Sequence, residues 1–502
     1  MMQNKPGLII IGAGAAGLSA GIYAQKNGFT SQILEMHSIP GGLCTSWKRK
    51  GYTFDGAVRF LASCHQGGAP HPLWQELGLF SATKFIFYDE FICFEGRDGR
   101  KLHFYTDTDR FERHLLELSP PDKALITEFT DGIRGFSPMQ LPIDMTAANG
   151  MEMAEIGRDM LPVLIPTLKW INTTLQAFAS RFKDPLLREG IPHFFQFSPP
   201  DFPMMLCLST LASLNDHEFG YPVGGSLPIA QELEKRYLEL GGHISYRSRV
   251  TSVLTENDQA VGVRLENGQE LKAQWVINAG DGHAAIYELL EGRYIDGKLA
   301  AIYQGDMNPS KSIIQVSLGV SQDWSTQPPA ISFPLPEPIW IGNLHQDRLV
   351  VKHYSFDPTL ARSGRSALSV WIEADYDYWK WLRSDRKRYQ AHKDEVAELV
   401  ISALDQRFPG FRAAVEVVDV ATPVTYERYT GNWRGAFAGW AMSKAKMSMI
   451  MGKGMPKTLS GLQNFMMCGQ WVEPGGNVEL SCASGRDVIK DICGEIKIPF
   501  LV

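Results

Sequence analysis

The strongest constraint on the fold lies close to the amino end. Leu8-Ile9-Ile10-Ile11 is a buried-type strand that runs directly into Gly12-Ala13-Gly14-Ala15-Ala16-Gly17, and LSAGIYAQKNG continues as a helix with small residues on its inner face. Each glycine has a mechanical reason. Gly12 permits the tight turn, Gly14 lets backbone approach a pyrophosphate, and Gly17 lets helix and strand pack closely. The helix N-terminus then offers free N–H groups and the positive end of its dipole to an anion. A second strand, Ser31-Gln32-Ile33-Leu34, ends in Glu35 and Met36, at the spacing where an acid binds ribose hydroxyls. The pattern predicts a dinucleotide seat in an α/β fold.

Bulk properties exclude several other classes. The 502 residues exceed one ordinary domain and suit two or three. A hydrophobic fraction of 44% and a charged fraction of 21% are those of a soluble globular protein. A net charge of −6 leaves no electrostatic footprint for nucleic acid. Seven dispersed cysteines without a C-x-x-C pair argue against a disulfide framework or zinc site and for a reducing compartment. The histidines show no H-E-x-x-H spacing, so no metal is expected. No cleavable leader pattern precedes Gly7, and no apolar run reaches the roughly 20 residues that span a bilayer. A cytoplasmic protein is expected, membrane-associated at most. The stretch Ile156 to Ile171 mixes Leu, Ile and Pro with Arg158, Lys169 and Trp170. It suits either a membrane-interface contact or a buried helix with a proline-bent start.

Further glycine turns follow. Ile39-Pro40-Gly41-Gly42-Leu43 comes just past the ribose-type acid, where an ordinary nicotinamide site has no glycine pair, and Gly51-Tyr52-Thr53-Phe54-Asp55-Gly56-Ala57-Val58-Arg59 comes next. Tyr221-Pro222-Val223-Gly224-Gly225-Ser226 opens a helix that Gly241-Gly242 closes, and Ile244 to Val253 alternates as one strand should. Asn267-Gly268 makes a hairpin turn, and Trp275-Val276-Ile277-Asn278-Ala279-Gly280 is another apolar strand ending in small residues. Near the carboxyl end, Phe465-Met466-Met467-Cys468 leads into GQWVEPGGNVELSCASGRDV, from Gly469 to Val488. A second G-x-G-x-x-G for a nicotinamide cofactor is absent.

On these motifs the chain resembles, over nearly its whole length, the phytoene desaturase, carotenoid isomerase and retinol saturase group of the flavin amine oxidase superfamily. The resemblance implies FAD. It also implies a glutathione-reductase-like Rossmann FAD-binding domain assembled from discontinuous segments 1–65, 220–300 and 455–502. Segments 66–219 and 301–454 would form an α+β substrate domain with an antiparallel or mixed sheet and a helical cap. In such proteins Gly41, Gly42 and Leu43 make a second approach to the pyrophosphate, and the backbone at Val250 pairs with adenine. Ala279 and Gly280 return to the cofactor, and Val58 and Arg59 lie near the ring. Gly469 and Gln470 approach the ribityl chain, while Gly475, Gly476, Asn477 and Val478 set the last helix against flavin O2 and N1. The segment from Thr167 resembles a long substrate-domain helix, and Val415 to Trp440 resembles the strand and loop that pass over the flavin.

The implied reactions are desaturation, saturation or cis–trans isomerisation of carbon–carbon bonds in a long apolar substrate, such as a carotenoid, a retinoid or another unsaturated lipid. The motifs separate neither direction nor electron partner. An apolar tunnel suits such substrates, and 26 Phe, 12 Trp and 18 Met could line one or simply fill a core. The family's terminal motif reads P-G-G-G-x-P, whereas here Asn477 replaces a glycine and Glu479 stands where proline is common. Glu479 is therefore a candidate acid or base, or a first-turn helix residue held by the dipole. Arg59 is the other polar candidate near the ring. Rival readings are an amine oxidase, whose aromatic pair and lysine cannot be assigned here, and a non-redox prenyl-carrier protein on the same fold.

Overall fold

The structure, a computed structural model, describes residues 7–62, 64, 71–79, 83–136, 168–444 and 455–502. Five parallel strands carry the first glycine turn. Gly7–Ile11 is central, with Thr30–Leu34 and then His243–Ser245 on one side, and Trp275–Asn278 and then Phe465–Met467 on the other. Such strands are covered on both faces and read as continuous apolar runs; Trp275–Asn278 and Phe465–Met467 are buried at every position. The helix Ala15–Lys26 is buried from Ala15 to Ala24, as a helix enclosed on all sides must be. It packs against Ser226–Glu239 and against the last helix, Val478–Glu495. At Gly485 a Cβ would lie 2.3 Å from the Ala16 carbonyl oxygen, so only glycine permits that approach.

A seven-stranded mixed sheet forms the second layer, in the spatial order Val415–Ala421, Ser312–Val320, Ser366–Ala374, Leu344–His353, Ala330–Ile341, Glu90–Glu95 and Lys101–Tyr105. Its neighbours run antiparallel except Ala330–Ile341 against Glu90–Glu95. The helix Arg386–Arg407, capped by Asp385, lays Val396, Val400, Ile401 and Leu404 into the core of this sheet. Thr108–Leu118, Lys123–Gly135 and Met204–Asn215 form a helical cap whose core includes Phe111, Phe129 and Leu208. The short helix Pro72–Leu77 instead sends Leu73, Trp74 and Leu77 into the core around the first helix.

Three sequence expectations are corrected. Ile244 to Val253 is not one strand. His243–Ser245 joins the parallel sheet, whereas Val250–Glu256 begins a separate three-stranded antiparallel sheet. Between them Arg247 adopts φ 54°, and the amides of Arg247 and Ser248 donate to the His37 and Glu35 carbonyls. The segment from Thr167 is not one long helix. Thr174 and Asp184 each cap a new start, and Pro185 at the second start has no N–H to continue the first, giving Leu175–Ala179 and Pro185–Gly190. After the strand Val415–Ala421, Pro423–Thr430 is helical rather than loop, started by a Thr422–Thr425 capping box. Of the Ile156–Ile171 stretch, 156–167 lie outside the described residues. No helix among the described residues is long and apolar enough to cross a membrane.

The contact between first and last helices predicts a steric penalty. Gly485→Ala should lower unfolding free energy by about 1–3 kcal/mol, seen as an earlier urea midpoint. A midpoint equal to that of the unmodified protein would contradict the approach at Gly485.

Candidate functional site

One cavity of about 1660 Å³ runs between the parallel sheet and the cap. Single-ligand pockets occupy roughly 300–1,000 Å³, so this one has room for a dinucleotide and a second molecule. At the sheet end it is lined by Gly12, Gly14, Ala15, Ala16, Glu35, Met36, Gly41, Gly42, Leu43, Val250, Ala279 and Gly280. The Gly41 amide donates to the Ala13 carbonyl (2.8 Å), laying the second glycine pair beside the first turn. A Cβ at Gly14 would meet nothing nearer than the Gly41 carbonyl oxygen at 4.0 Å, so a side chain there would fill the cavity rather than disturb the fold. Gly14 also caps the first helix without a side chain, which leaves the amides of its first turn to an anion. Ala13 and Gly17, grouped by sequence with the cofactor contacts, do not line the cavity. Ala13 is fully buried and braces the turn, and a Cβ at Gly17 would lie 2.0 Å from the Gly12 carbonyl oxygen.

Glu35 is fixed by two backbone donors, Ala13 N–H to Oε2 and His37 N–H to Oε1, both at 2.7 Å. Burial pushes its carboxyl above the usual carboxylate range, and the amides of His37 and Ala13 oppose that rise. Each oxygen keeps a lone pair for a ribose hydroxyl. Asp281, which sequence reasoning missed, also lines the cavity, directly after Gly280. It accepts from the amides of Ala284 and Trp433, both at 2.7 Å, and so ties the loop after Thr430 to the end of the Trp275–Asn278 strand. Its signal was positional: an acid immediately following a small-residue strand end. Burial pushes its carboxyl up to about 7.

The carboxyl-terminal loop meets the same cavity through Gly469, Gln470, Gly475, Gly476, Asn477 and Val478. The Gly469 amide donates to Ser484 Oγ at 3.1 Å, pinning the loop to the last helix. Asn477 caps that helix, its side-chain oxygen accepting from the Leu480 amide at 2.7 Å, which explains an Asn where the family has glycine. Glu479 lines the cavity from the first helical turn, with Oε1 3.8 Å from His71 Nδ1. A carboxylate there is favoured by the helix dipole.

Val58, Arg59 and Phe60 continue the wall toward the cap, where the rings become dense. Phe60 stacks on Phe219 at 4.4 Å, and Phe195 lies 4.9 Å from Phe202. Beneath this wall Asp55 is buried, accepting from Tyr221 Oη (2.6 Å) and Ser226 Oγ (2.5 Å), as befits a loop-bracing carboxylate. Away from the cavity, Glu90, Cys93 and His103 bring their ligand atoms within 4.8 Å of one another. The hydrogen bond between His103 Nδ1 and Glu90 (2.8 Å) explains part of that grouping, and burial pushes the Cys93 thiol up to about 12.

A sequence model of the flavin containing amine oxidoreductases matches residues 15–493. The chain belongs to this family. Its cofactor is FAD, and it is an FAD-dependent oxidoreductase. Among curated relatives it is similar to prolycopene isomerase 2 of an Oncidium hybrid cultivar, with 26% identity over 98% of this chain and 85% of that protein. It is likewise similar to 4,4'-diapophytoene desaturase of a Methylomonas species, at 25% identity over 99% and 97%. Among solved structures, an oxidoreductase from Methanosarcina mazei shares the fold with a TM-score of 0.59 and 18% identity, covering 96% of this chain and all of that one. In this FAD-dependent oxidoreductase the glycine-lined end fits FAD by its uncapped helix start, its Cβ-free surface at Gly14 and its held carboxylate at Glu35.

The elevated Asp281 carboxyl carries a pH signature. Its folded pKa lies above the usual 3.8, so the folded state keeps a proton that the unfolded chain releases, and stability falls as pH climbs from about 4 to about 7. Asp281→Asn should remove that slope, worth up to about 1.4 kcal/mol per pH unit, in unfolding titrations compared with the unmodified protein. Parallel curves would contradict burial of the charge.

Proposed function

We propose that this oxidoreductase acts on the carbon–carbon double bonds of a long, unsaturated apolar substrate, by desaturation, saturation or isomerisation. The observation that carries the reading is the continuity of one cavity from the glycine turns into a chamber walled by Phe60, Phe195 and Phe219. A polar substrate would leave its hydrogen-bonding groups unmet against such rings, whereas a polyene loses nothing by leaving water. The isomerase and desaturase relatives act, by their names, on prolycopene and 4,4'-diapophytoene, which supports the same substrate class. On this reading segments 1–65, 220–300 and 455–502 bind FAD, and 66–219 and 301–454 hold the substrate. The strands of the parallel sheet all come from the first set.

When bound, FAD supplies an acceptor or donor of an electron pair. The chain's own residues do the rest. Gly12, Gly14, Gly41 and Gly42 expose backbone to the pyrophosphate, Glu35 holds the ribose, and the last helix presents its positive end through Asn477 and Val478. The cap's aromatic rings orient the polyene and exclude water. Glu479 holds or accepts a proton at its carboxylate, placed by the helix turn that Asn477 caps. Arg59 adds positive charge to the wall between cofactor and chamber.

Two measurements test this. Anaerobic mixing of the flavin-loaded protein with a polyene panel should give a product lighter or heavier by a hydrogen pair, or of unchanged mass but altered geometry. Conversion of none of them would overturn the reading. Glu479→Gln should slow turnover about 10²-fold or more while FAD stays bound. Unaltered turnover would remove Glu479 from the chemistry and leave it as a helix-start residue.

A further inference from the structure

The chamber wall contains hydrogen-bond donors that have no acceptor among the described residues. Arg59, Gln196 and Trp371 form part of the chamber wall, and the same three line a small adjoining pocket of about 10 Å³ with Lys352 and Ser369. That pocket is the size of a single water. Neither the Arg59 guanidinium nor the Lys352 ammonium has a hydrogen bond or ion pair among the described residues. Their contacts are aromatic faces: Arg59 lies 5.5 Å over Phe91, and Lys352 lies 4.8 Å over Tyr354 and 5.3 Å over Tyr221. The Trp371 indole Nε1 is buried without a partner among the described residues. Gln196 Nε2 donates to the Trp371 main-chain carbonyl at 2.8 Å, which ties the Gln196 side chain to the strand that carries Trp371.

Asp55 is the one carboxylate whose field is felt at Lys352. Tyr88 donates to the Arg59 carbonyl, the rings of Tyr221 and Tyr354 lie under Lys352, and burial holds all three phenols well above their ordinary range, hence neutral. Neither Asp55 nor Asp357 forms an ion pair with Arg59 or Lys352 among the described residues; Asp55 is engaged by Tyr221 and Ser226, and Asp357 by the Gly224 and Thr359 amides. Uncompensated buried charge is costly, and a fold that needed no anion there would be served better by apolar side chains.

We propose that this wall is an anion subsite that seats a carboxylate at the end of an otherwise apolar, unsaturated chain. The substrate is then an amphipathic polyene or fatty acid rather than a plain hydrocarbon. This rests on the reading of the chamber as the seat of a long apolar substrate. The Arg59 fork can take both carboxylate oxygens, Lys352 adds a point charge from behind, and Trp371 Nε1 gains an acceptor. Phe60 and Phe91 flank the first carbons. Burial and the neighbouring Arg59 push Lys352 down to about 7; a seated anion opposes both causes and keeps the ammonium charged.

The test titrates flavin-loaded protein with linoleic acid, methyl linoleate and a carotene, following tryptophan fluorescence and the visible band of the flavin. The acid should bind about thirty-fold or more tighter than its ester, the scale of a buried charge left without its partner. Lys352→Met should abolish most of that preference, and Lys352→Arg should keep it. Lys352→Met should fold at least as well as the unmodified protein, since it removes an unpaired buried charge; the acid-to-ester ratio of the unmodified protein decides the matter without any variant. Equal binding of acid and ester, or a carotene bound while both are refused, overturns the subsite and leaves the polyene reading standing. A preference that survives both Lys352→Met and Arg59→Met also overturns it. Refusal of all three probes overturns subsite and polyene reading together.

Discussion

Everything in this protein depends on the contact between its first helix and its last. Ser19 Oγ donates to the Cys482 carbonyl at 2.7 Å, and Gly485 lets the last helix approach the backbone of Ala16 and Ala20. That contact brings two glycine loops, separated by most of the chain, to one cavity. The amino-terminal loop presents uncapped amides, and the carboxyl-terminal loop presents Gly475, Gly476 and a capped helix start. A side chain at Gly485 would separate them, because the backbone of Ala16 and Ala20 rather than a movable side chain occupies the space. The mixed sheet and cap then need only hang between the segments that build this seat.

The chemistry follows from where charge is tolerated. The cavity walls are largely apolar, yet they contain Glu35, Asp281 and Arg59, with Lys352 just behind. The two carboxylates are each held by a pair of backbone amides, which compensates for lost water. Arg59 and Lys352 have no such partners among the described residues. Under the proposed function, Glu35 and Asp281 are satisfied by backbone at the cofactor end, while Arg59 and Lys352 await a ligand at the substrate end, as a site that recognises a polar group requires.

The parts legible in the sequence are those where backbone geometry dictates residue type. The parallel strands, the turn at Gly12 and the loop around Gly475 could be read because glycine there is forced by close approach or by φ 101° and 143°. The helix started by Thr422 and the break at Arg247 were not legible. Both depend on local hydrogen bonds that the alternation of side chains does not report. Lys352 left no trace either, since a lysine in a strand normally faces water and only tertiary packing turns this one inward. The role of Asn477 as a cap became clear only when its side chain was seen to accept from the Leu480 amide.

The most direct test of the account is to measure bound flavin in the purified protein and to titrate it with polyenes while following the flavin's visible band. A single cavity shared by cofactor and substrate predicts a full complement of FAD and a saturable perturbation of that band by a long unsaturated chain. A protein that carries no flavin, or whose flavin band is indifferent to every polyene offered, would contradict it.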